Sequence, residues 1–437
     1  MIDELLDTKF RCSCGKDHYI SIKEILIEKD ALLKLPEVIN RLTDLNKILM
    51  VCDQNTYQAA GKKAINILVK KGYHVKVFKM KDNNLVPNTD NLHKILKVIT
   101  KDEYILACGS GTINDLSAYA AFKKNLSYSV IATAPSMDGY ASSVSSITSQ
   151  GVKLTYNTKP PEAIIADIRV LKNAPKKLIQ AGYGDLLGKT TSLMDWKLSN
   201  LLFDEYFCNK AYHIIEDEMY KIINIKGIFD FRSEKNIESL IKGLINSGLA
   251  MQMVGSSRPA SGSEHHISHF IEMFGDTYNL DMPLHGIKVG MATLFTTSFY
   301  LELKDINLDK ISLNYDKNKR KEEIKKIYKN RAELILKNLE KRWQKEKLSE
   351  EKLLYSKGKI LSLVEQNLDK IEKARKVLQQ NDILNIDIFK QIPKNLIKDT
   401  LKYGFEIRPR YTITTFLKQI GKLEQLTEKI INNYYDC

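Results

Sequence analysis

The sequence predicts an α/β chain in which a mainly parallel, helix-covered sheet is followed by an all-helical domain. Three observations carry this. Up to about residue 175, short apolar runs alternate with amphipathic helical stretches, the pattern of strands buried on both faces. Beyond it, strand-like runs nearly vanish and helical periodicity persists to the C terminus. A chain of 437 residues is also too long for one ordinary core, so two domains are expected, 1–175 and 176–437.

Near the N terminus, Cys12-Ser13-Cys14-Gly15 with His18 looks like part of a metal knuckle. No second Cys/His pair follows at zinc-finger spacing, so the expectation is a reduced, thiol-bearing β-turn. The apolar run 48–52 ends in Asp53 and leads into a helical stretch, 59–71. A strand-like run at 73–78, a helical stretch at 92–99 and apolar runs at 104–108 and 128–133 continue the alternation. Sheets of this kind bind ligands at the carboxyl ends of their strands. In the second half, Ile324, Tyr328, Ala332, Ile335 and Leu339 step by three or four residues, which predicts one helical face.

Composition narrows the function classes. Hydrophobic residues at 43% and charged residues at 27% fit a soluble globular protein. No apolar run approaches the length of a membrane span, and the acidic start Met1-Ile2-Asp3-Glu4 does not suit a secretory signal. The chain is therefore expected in the cytoplasm, without membrane insertion. Six scattered cysteines do not suggest a disulfide framework. The net charge of +14 raises nucleic acid as a partner. Much of the excess, however, lies in mixed-sign stretches such as Lys319, Arg320, Lys321, Glu322 and Glu323, which form solvated helix faces. With no nucleic-acid motif beside them, nucleic acid is not expected. A small anionic substrate would also profit from the positive field.

Four segments carry chemistry. Gly109-Ser110-Gly111-Thr112-Ile113-Asn114-Asp115 is a glycine-rich strand-to-helix turn, able to present free N–H groups to a phosphate or simply to turn the chain. It is neither a GxGxxG fingerprint nor a Walker loop. The next strand end carries Thr133-Ala134-Pro135-Ser136, then Asp138 and Ser142; its hydroxyls can hold a pyrophosphate, or the segment is an ordinary polar turn. Asp185, in Gly184-Asp185-Leu186-Leu187-Gly188-Lys189, stands where a helix is expected to begin, as an N-cap or as a cation ligand. Four of the eight histidines fall close together: His265, His266 and His269, then His285 on a following loop. A helix over 264–274 places His265 and His269 on one face and turns His266 about 100° away. Chance clustering of surface histidines is the alternative. One Asp with two His gives three protein ligands and leaves open positions, as catalytic metal sites do.

Together these segments resemble the sn-glycerol-1-phosphate dehydrogenase family, more closely its bacterial AraM-type branch. The most specific stretch is Ser257-Arg258-Pro259-Ala260-Ser261-Gly262-Ser263-Glu264-His265. The wider superfamily includes dehydroquinate synthase, glycerol dehydrogenase and iron-containing alcohol dehydrogenases. The resemblance runs from about residue 15 to Arg408-Pro409-Arg410-Tyr411, although the lysine-rich region 305–400 matches no family motif. It implies a dehydroquinate synthase-like fold, a Rossmann-like N-terminal domain before an all-α C-terminal one. It also implies reversible reduction of dihydroxyacetone phosphate to sn-glycerol 1-phosphate by NAD or NADP. A divalent metal (zinc, with nickel or iron as alternatives) would be held by Asp185, His265 and His285.

The resemblance places the cofactor over Gly109, Ser110, Gly111, Thr112, Ile113, Asn114, Asp115, Thr133, Ala134, Pro135, Ser136 and Ser142, with Asp53 near its adenosine ribose. His269 and Asp138 would meet the substrate and carry the catalytic roles, with metal-bound Asp185 beside them. Arg258 is the expected partner of the substrate phosphate, with a helix-capping or salt-bridge role equally open. The implied partners are a phosphorylated three-carbon substrate and a second copy of the chain. A polyol dehydrogenase without phosphate preference and a dehydroquinate-synthase-like cyclase are the alternatives.

Overall fold

A computed structural model describes residues 3–435 apart from 82–84, 150–151, 226–229, 276–277, 279, 281, 312, 314–315, 381–382, 385–388 and 390. The chain forms two compact units. The first comprises Met1–Leu186 and His213–Ser256, the second Leu187–Tyr212 and Ser257–Cys437. Two helices, Lys176–Phe203 and Asn209–Ile223, run from one unit into the other.

The first unit is built on a parallel sheet whose strands are β3 (Glu24–Glu28), β4 (Lys47–Asp53), β5 (His74–Met80), β6 (Tyr104–Gly109), β7 (Tyr128–Ala132) and β10 (Ala163–Asp167). Their spatial order is β3-β10-β7-β6-β4-β5. Every residue of β6, β7 and β10 is buried, as parallel strands covered on both faces must be. Leu32, Leu35 and Ile39 from the flanking helical turns pack with Met50, Leu106 and Ile165 into one apolar core. Two antiparallel hairpins complete the strands: β1 (Thr8–Arg11) with β2 (Asp17–Ile20), and β8 (Val144–Ser149) with β9 (Val152–Asn157). The four expected strands are present in the parallel sheet; β3 and β10 in that sheet, and the strands of the two hairpins, are additions that the sequence reading missed.

Because the sheet is parallel, the carboxyl ends of its strands share one edge. Gly109 pairs with Ala132 in register, so the loops after β6 and β7 begin side by side. Against the second loop lies the helix Lys176–Phe203, at a point where no side chain fits. A Cβ on Gly182 would stand 1.8 Å from the carbonyl oxygen of Pro135. Gly182→Ala should therefore push the helix off the loop and cost about 3 kcal/mol. Chemical denaturation reads the loss, and unchanged stability would mean the helix and loop are free to move apart.

The second unit is helical. At its centre the helix His285–Leu303 is buried along most of its length and packs on the helix Ser263–Gly275. The expected single helical face at 324–339 belongs to two helices, Lys317–Tyr328 and Ala332–Lys345. Between them the chain turns at Lys329, whose φ of 47° lies in the left-handed region. All five predicted residues are still buried. The apolar spacing was read correctly, but it carries no signal for the break. Among the described residues, no helix is long and apolar enough to cross a membrane.

Candidate active site

In the first unit, the loops after β4, β6 and β7 are shaped by their own hydrogen bonds. Ser110 is extended and the helix Gly111–Lys124 starts directly after it, so the helix N-terminus opens at the carboxyl end of β6. Gly109 is required there, since a Cβ would press to 2.4 Å of the Ile113 side chain. Tyr140 ties the two loops together, its hydroxyl donating to the Ala134 carbonyl at 2.8 Å and facing that of Gly109 at 3.3 Å. Asn114 Nδ2 donates to the Gly139 carbonyl at 3.2 Å, and Asp115 accepts from the Ser146 N–H at 3.4 Å. Thr112 and Ile113 lie in the first turn of that helix. Thr133, Ala134, Pro135 and Ser136 form the buried loop after β7. Ser142 Oγ accepts from the Val144 N–H at 3.1 Å. Asp53 closes β4 and accepts from the Thr56 N–H at 2.8 Å, a reciprocal helix cap.

Asp138 and Asp185 meet in this unit: the Asp138 N–H donates to Asp185 Oδ2 at 3.0 Å, and Ser247 Oγ donates to Asp138 Oδ2 at 3.0 Å. Asp185 is fully buried and lies well inside the helix Lys176–Phe203, so it is not the N-cap that the sequence suggested. The helix begins earlier, right after Pro175, and Ile179 and Ala181 in its first turns are already buried.

In the second unit, three imidazoles converge. The ring centres of His265 and His269 are 6.1 Å apart, those of His265 and His285 5.3 Å, and those of His269 and His285 5.4 Å. His265 and His269 are one turn apart on the helix Ser263–Gly275, as the spacing predicted. His285 is the first residue of the next helix rather than part of a loop. His266 points away and is buried, with both ring nitrogens lacking hydrogen-bond partners. Burial, reinforced by Arg410, Arg408 and Arg342, holds its pKa well below the ordinary range and so keeps it neutral.

Carboxylates fix these rings. Glu264 Oε1 lies 2.8 Å from His265 Nδ1 and accepts the Gly262 N–H at 2.7 Å. Its other oxygen accepts from Thr191 Oγ1 at 2.8 Å, on the same helix that carries Asp185. Glu272 bridges the other two rings, 3.0 Å from His285 Nδ1 and 3.2 Å from His269 Nδ1. Lys288 Nζ stands 3.2 Å from the same Glu272 oxygen. Burial and the Arg408 charge hold His269 well below its ordinary pKa against the opposing pull of Glu272. Behind the site, Asp195 accepts from the Tyr300 hydroxyl and from the Ser263 and Ile413 N–H groups, each at 2.7 Å. Burial, aided by the Glu264 charge, raises its pKa to about 6.

Sequence reasoning missed Glu264, Glu272 and Asp195. The available signals were Glu264 adjoining His265 and Glu272 one turn beyond His269. Arg258 is buried and holds the scaffold. Its Nε donates to Glu205 at 2.9 Å, and its Nη2 donates to the carbonyls of Asp195 at 3.0 Å and Tyr411 at 2.8 Å. This is the salt-bridge role, the alternative left open beside phosphate binding. Arg408, which the sequence reading gave no role, is the cation whose charge acts on both His269 and Glu272.

Residues 26–175 match the family model of iron-containing alcohol dehydrogenases. A glycerol-1-phosphate dehydrogenase (NAD(P)+) of Halalkalibacterium halodurans is 36% identical over 294 residues, covering 66% of this chain and 73% of that protein. One of the same name from Bacillus licheniformis is 28% identical over 433 residues, 98% of this chain and 97% of its own length. The lysine-rich helical region therefore has a counterpart there. Among solved structures, an iron-containing alcohol dehydrogenase from Corynebacterium glutamicum shares the fold, with a TM-score of 0.59 at 13% identity over 97% of each chain.

Proposed function

The chain belongs to the glycerol-1-phosphate dehydrogenase family, and from that premise we propose that it reversibly reduces dihydroxyacetone phosphate to sn-glycerol 1-phosphate with NAD(P)H and a divalent metal. The observation that carries this reading is the trio of converging imidazoles, each with its Nδ1 beside a buried or half-buried carboxylate.

The donor chemistry fits the metal. The set that the resemblance implies, Asp185, His265 and His285, offers one carboxylate and two imidazoles, three ligands that leave positions for substrate and water. In both histidines a carboxylate holds Nδ1, the outer pairing that orients a ligating imidazole through Nε2. His269, Glu272 and His285 form a second possible set. Lys288 already neutralises Glu272 and would repel a dication there, which favours the first set. A metal held by Asp185, His265 and His285 supplies Lewis-acid polarisation of the substrate carbonyl. A nicotinamide cofactor along Gly109–Asp115 and Thr133–Ser136, with Ser142 and Asp53 beside it, supplies the hydride.

The chain's own groups do the rest. His269, neutral and beside the ligating rings, orients the substrate hydroxyl or passes its proton at Nε2. Asp138, its carboxylate fixed by Ser247, accepts a hydrogen bond from a substrate hydroxyl. For the phosphate we assign Arg408 in place of Arg258, whose Nε and Nη2 already hold protein oxygens. The homodimer implied by the resemblance belongs to the same proposal and is read by sedimentation velocity.

The test is turnover of dihydroxyacetone phosphate with NADH or NADPH across a panel of divalent metals. Turnover of glycerol but not of the phosphorylated substrate would overturn the reading in favour of a polyol dehydrogenase. Absence of net cofactor oxidation would point to a cyclase. In the same assay, Arg408→Ala should raise KM for the phosphorylated substrate by roughly 10–100-fold with kcat little changed. An unchanged KM removes Arg408 from the phosphate site.

A further inference from the structure

The Cys12-Ser13-Cys14-Gly15 turn plays no part in the reaction above, yet its atoms are arranged as ligands. It joins β1 to β2 as a tight turn: the Gly15 N–H donates to the Cys12 carbonyl at 3.0 Å, and the Cys12 N–H donates to the Lys16 carbonyl at 3.0 Å. Gly15, at φ 85°, supplies the left-handed residue that the turn requires. His18 on β2 then brings Nε2 to 3.2 Å from Cys14 Sγ. Its Nδ1 lies 2.6 Å from the Met253 carbonyl, an arrangement in which Nδ1 carries the proton and Nε2 faces the sulfurs. Ligand atoms of Cys12, Cys14 and His18 all lie within 4.8 Å of one another. With Zn–S near 2.3 Å and Zn–N near 2.0 Å, a tetrahedral S···N edge is about 3.5 Å.

We propose that Cys12, Cys14 and His18 bind a zinc ion separate from the catalytic metal. Zinc is four-coordinate, so these three ligands leave one position for a further donor. Cys52 and Cys108 lie in β4 and β6 of the central sheet, and the Cys108 thiol donates to the Thr56 carbonyl at 3.7 Å. The ion explains how so small a hairpin is held, since two short strands alone are marginal in water.

Cobalt separates this site from the catalytic one, which contains no sulfur. The full-length protein loaded with cobalt should show an intense thiolate-to-cobalt charge-transfer band. The band should persist in His265→Ala and vanish in the Cys12→Ser/Cys14→Ser double variant. Native protein purified without chelator should retain about one zinc per chain beyond the catalytic metal, with its thiols slow to react until a chelator is added. A cobalt-loaded wild type without the band overturns the proposal whether or not the variants fold. So does a band that survives the double substitution. A Cys14 S–H donating to His18 is the arrangement that those negative results would leave.

Discussion

His265→Ala is expected to lower kcat/KM by roughly 10³-fold or more and to abolish retention of the catalytic metal. The substitution removes an imidazole whose Nδ1 lies 2.8 Å from fully buried Glu264. Glu264 is held by Thr191 and Gly262, so the ring's orientation is fixed before any ligand arrives. Elemental analysis together with steady-state kinetics reads both effects. Full activity with metal retained would sink the ligand assignment. A fall in activity with metal retained would instead place His265 among the groups that touch substrate.

Glu406→Ala is expected to destabilise the protein by about 3–5 kcal/mol, since it strands buried cations. Glu406 is buried and accepts from Arg320 Nε at 2.6 Å, with Arg342 Nη2 3.5 Å away. Arg320, from the mixed-sign run expected on a solvated helix face, is instead buried; burial opposes its charge, but Glu406 and Glu323 outweigh that and hold its pKa above the ordinary value. With Glu406 gone, Arg320 keeps only Glu323 as a carboxylate partner in this network. Denaturant unfolding measures the loss. A cost below 1 kcal/mol would mean that water reaches the guanidinium groups, and the double variant Arg320→Met/Glu406→Leu should recover much of the difference.

How much was legible follows from where each signal lies. β4, β6 and β7 are runs of apolar residues buried on both faces, so each announces itself locally. β3 is only five residues with glutamates at both ends, and β10 sits in a segment that continues straight into the short helix Ile168–Lys172. β3 offers no pattern distinct from a helix edge; β10 carries the same short buried apolar run as β7, but the helix that follows it directly leaves no turn signal at its end. The histidine cluster was legible because histidine is scarce in this chain. Glu264, Glu272 and Asp195 were not, because they are three among 53 acidic residues, most of which a sequence reader must place on solvated helix faces. Arg258 and Arg408 show the same limit. Both lie in family-like segments, and only packing tells which guanidinium holds protein oxygens and which one's charge acts on the imidazoles.

The Cys12–Cys14–His18 turn was visible in the sequence, and the conversion of that turn into a ligand set was not. What the sequence determined by itself is whatever repeats or concentrates locally: the alternation of strands and helices, the strand-end loops, and one helical turn between His265 and His269. Tertiary structure decided the partners, because they come from distant points of the chain: Thr191 to Glu264, Asp195 to Ile413, His18 to Met253. Such pairings depend on how helices pack and at what rotation, quantities set by the whole core. No window of sequence contains them.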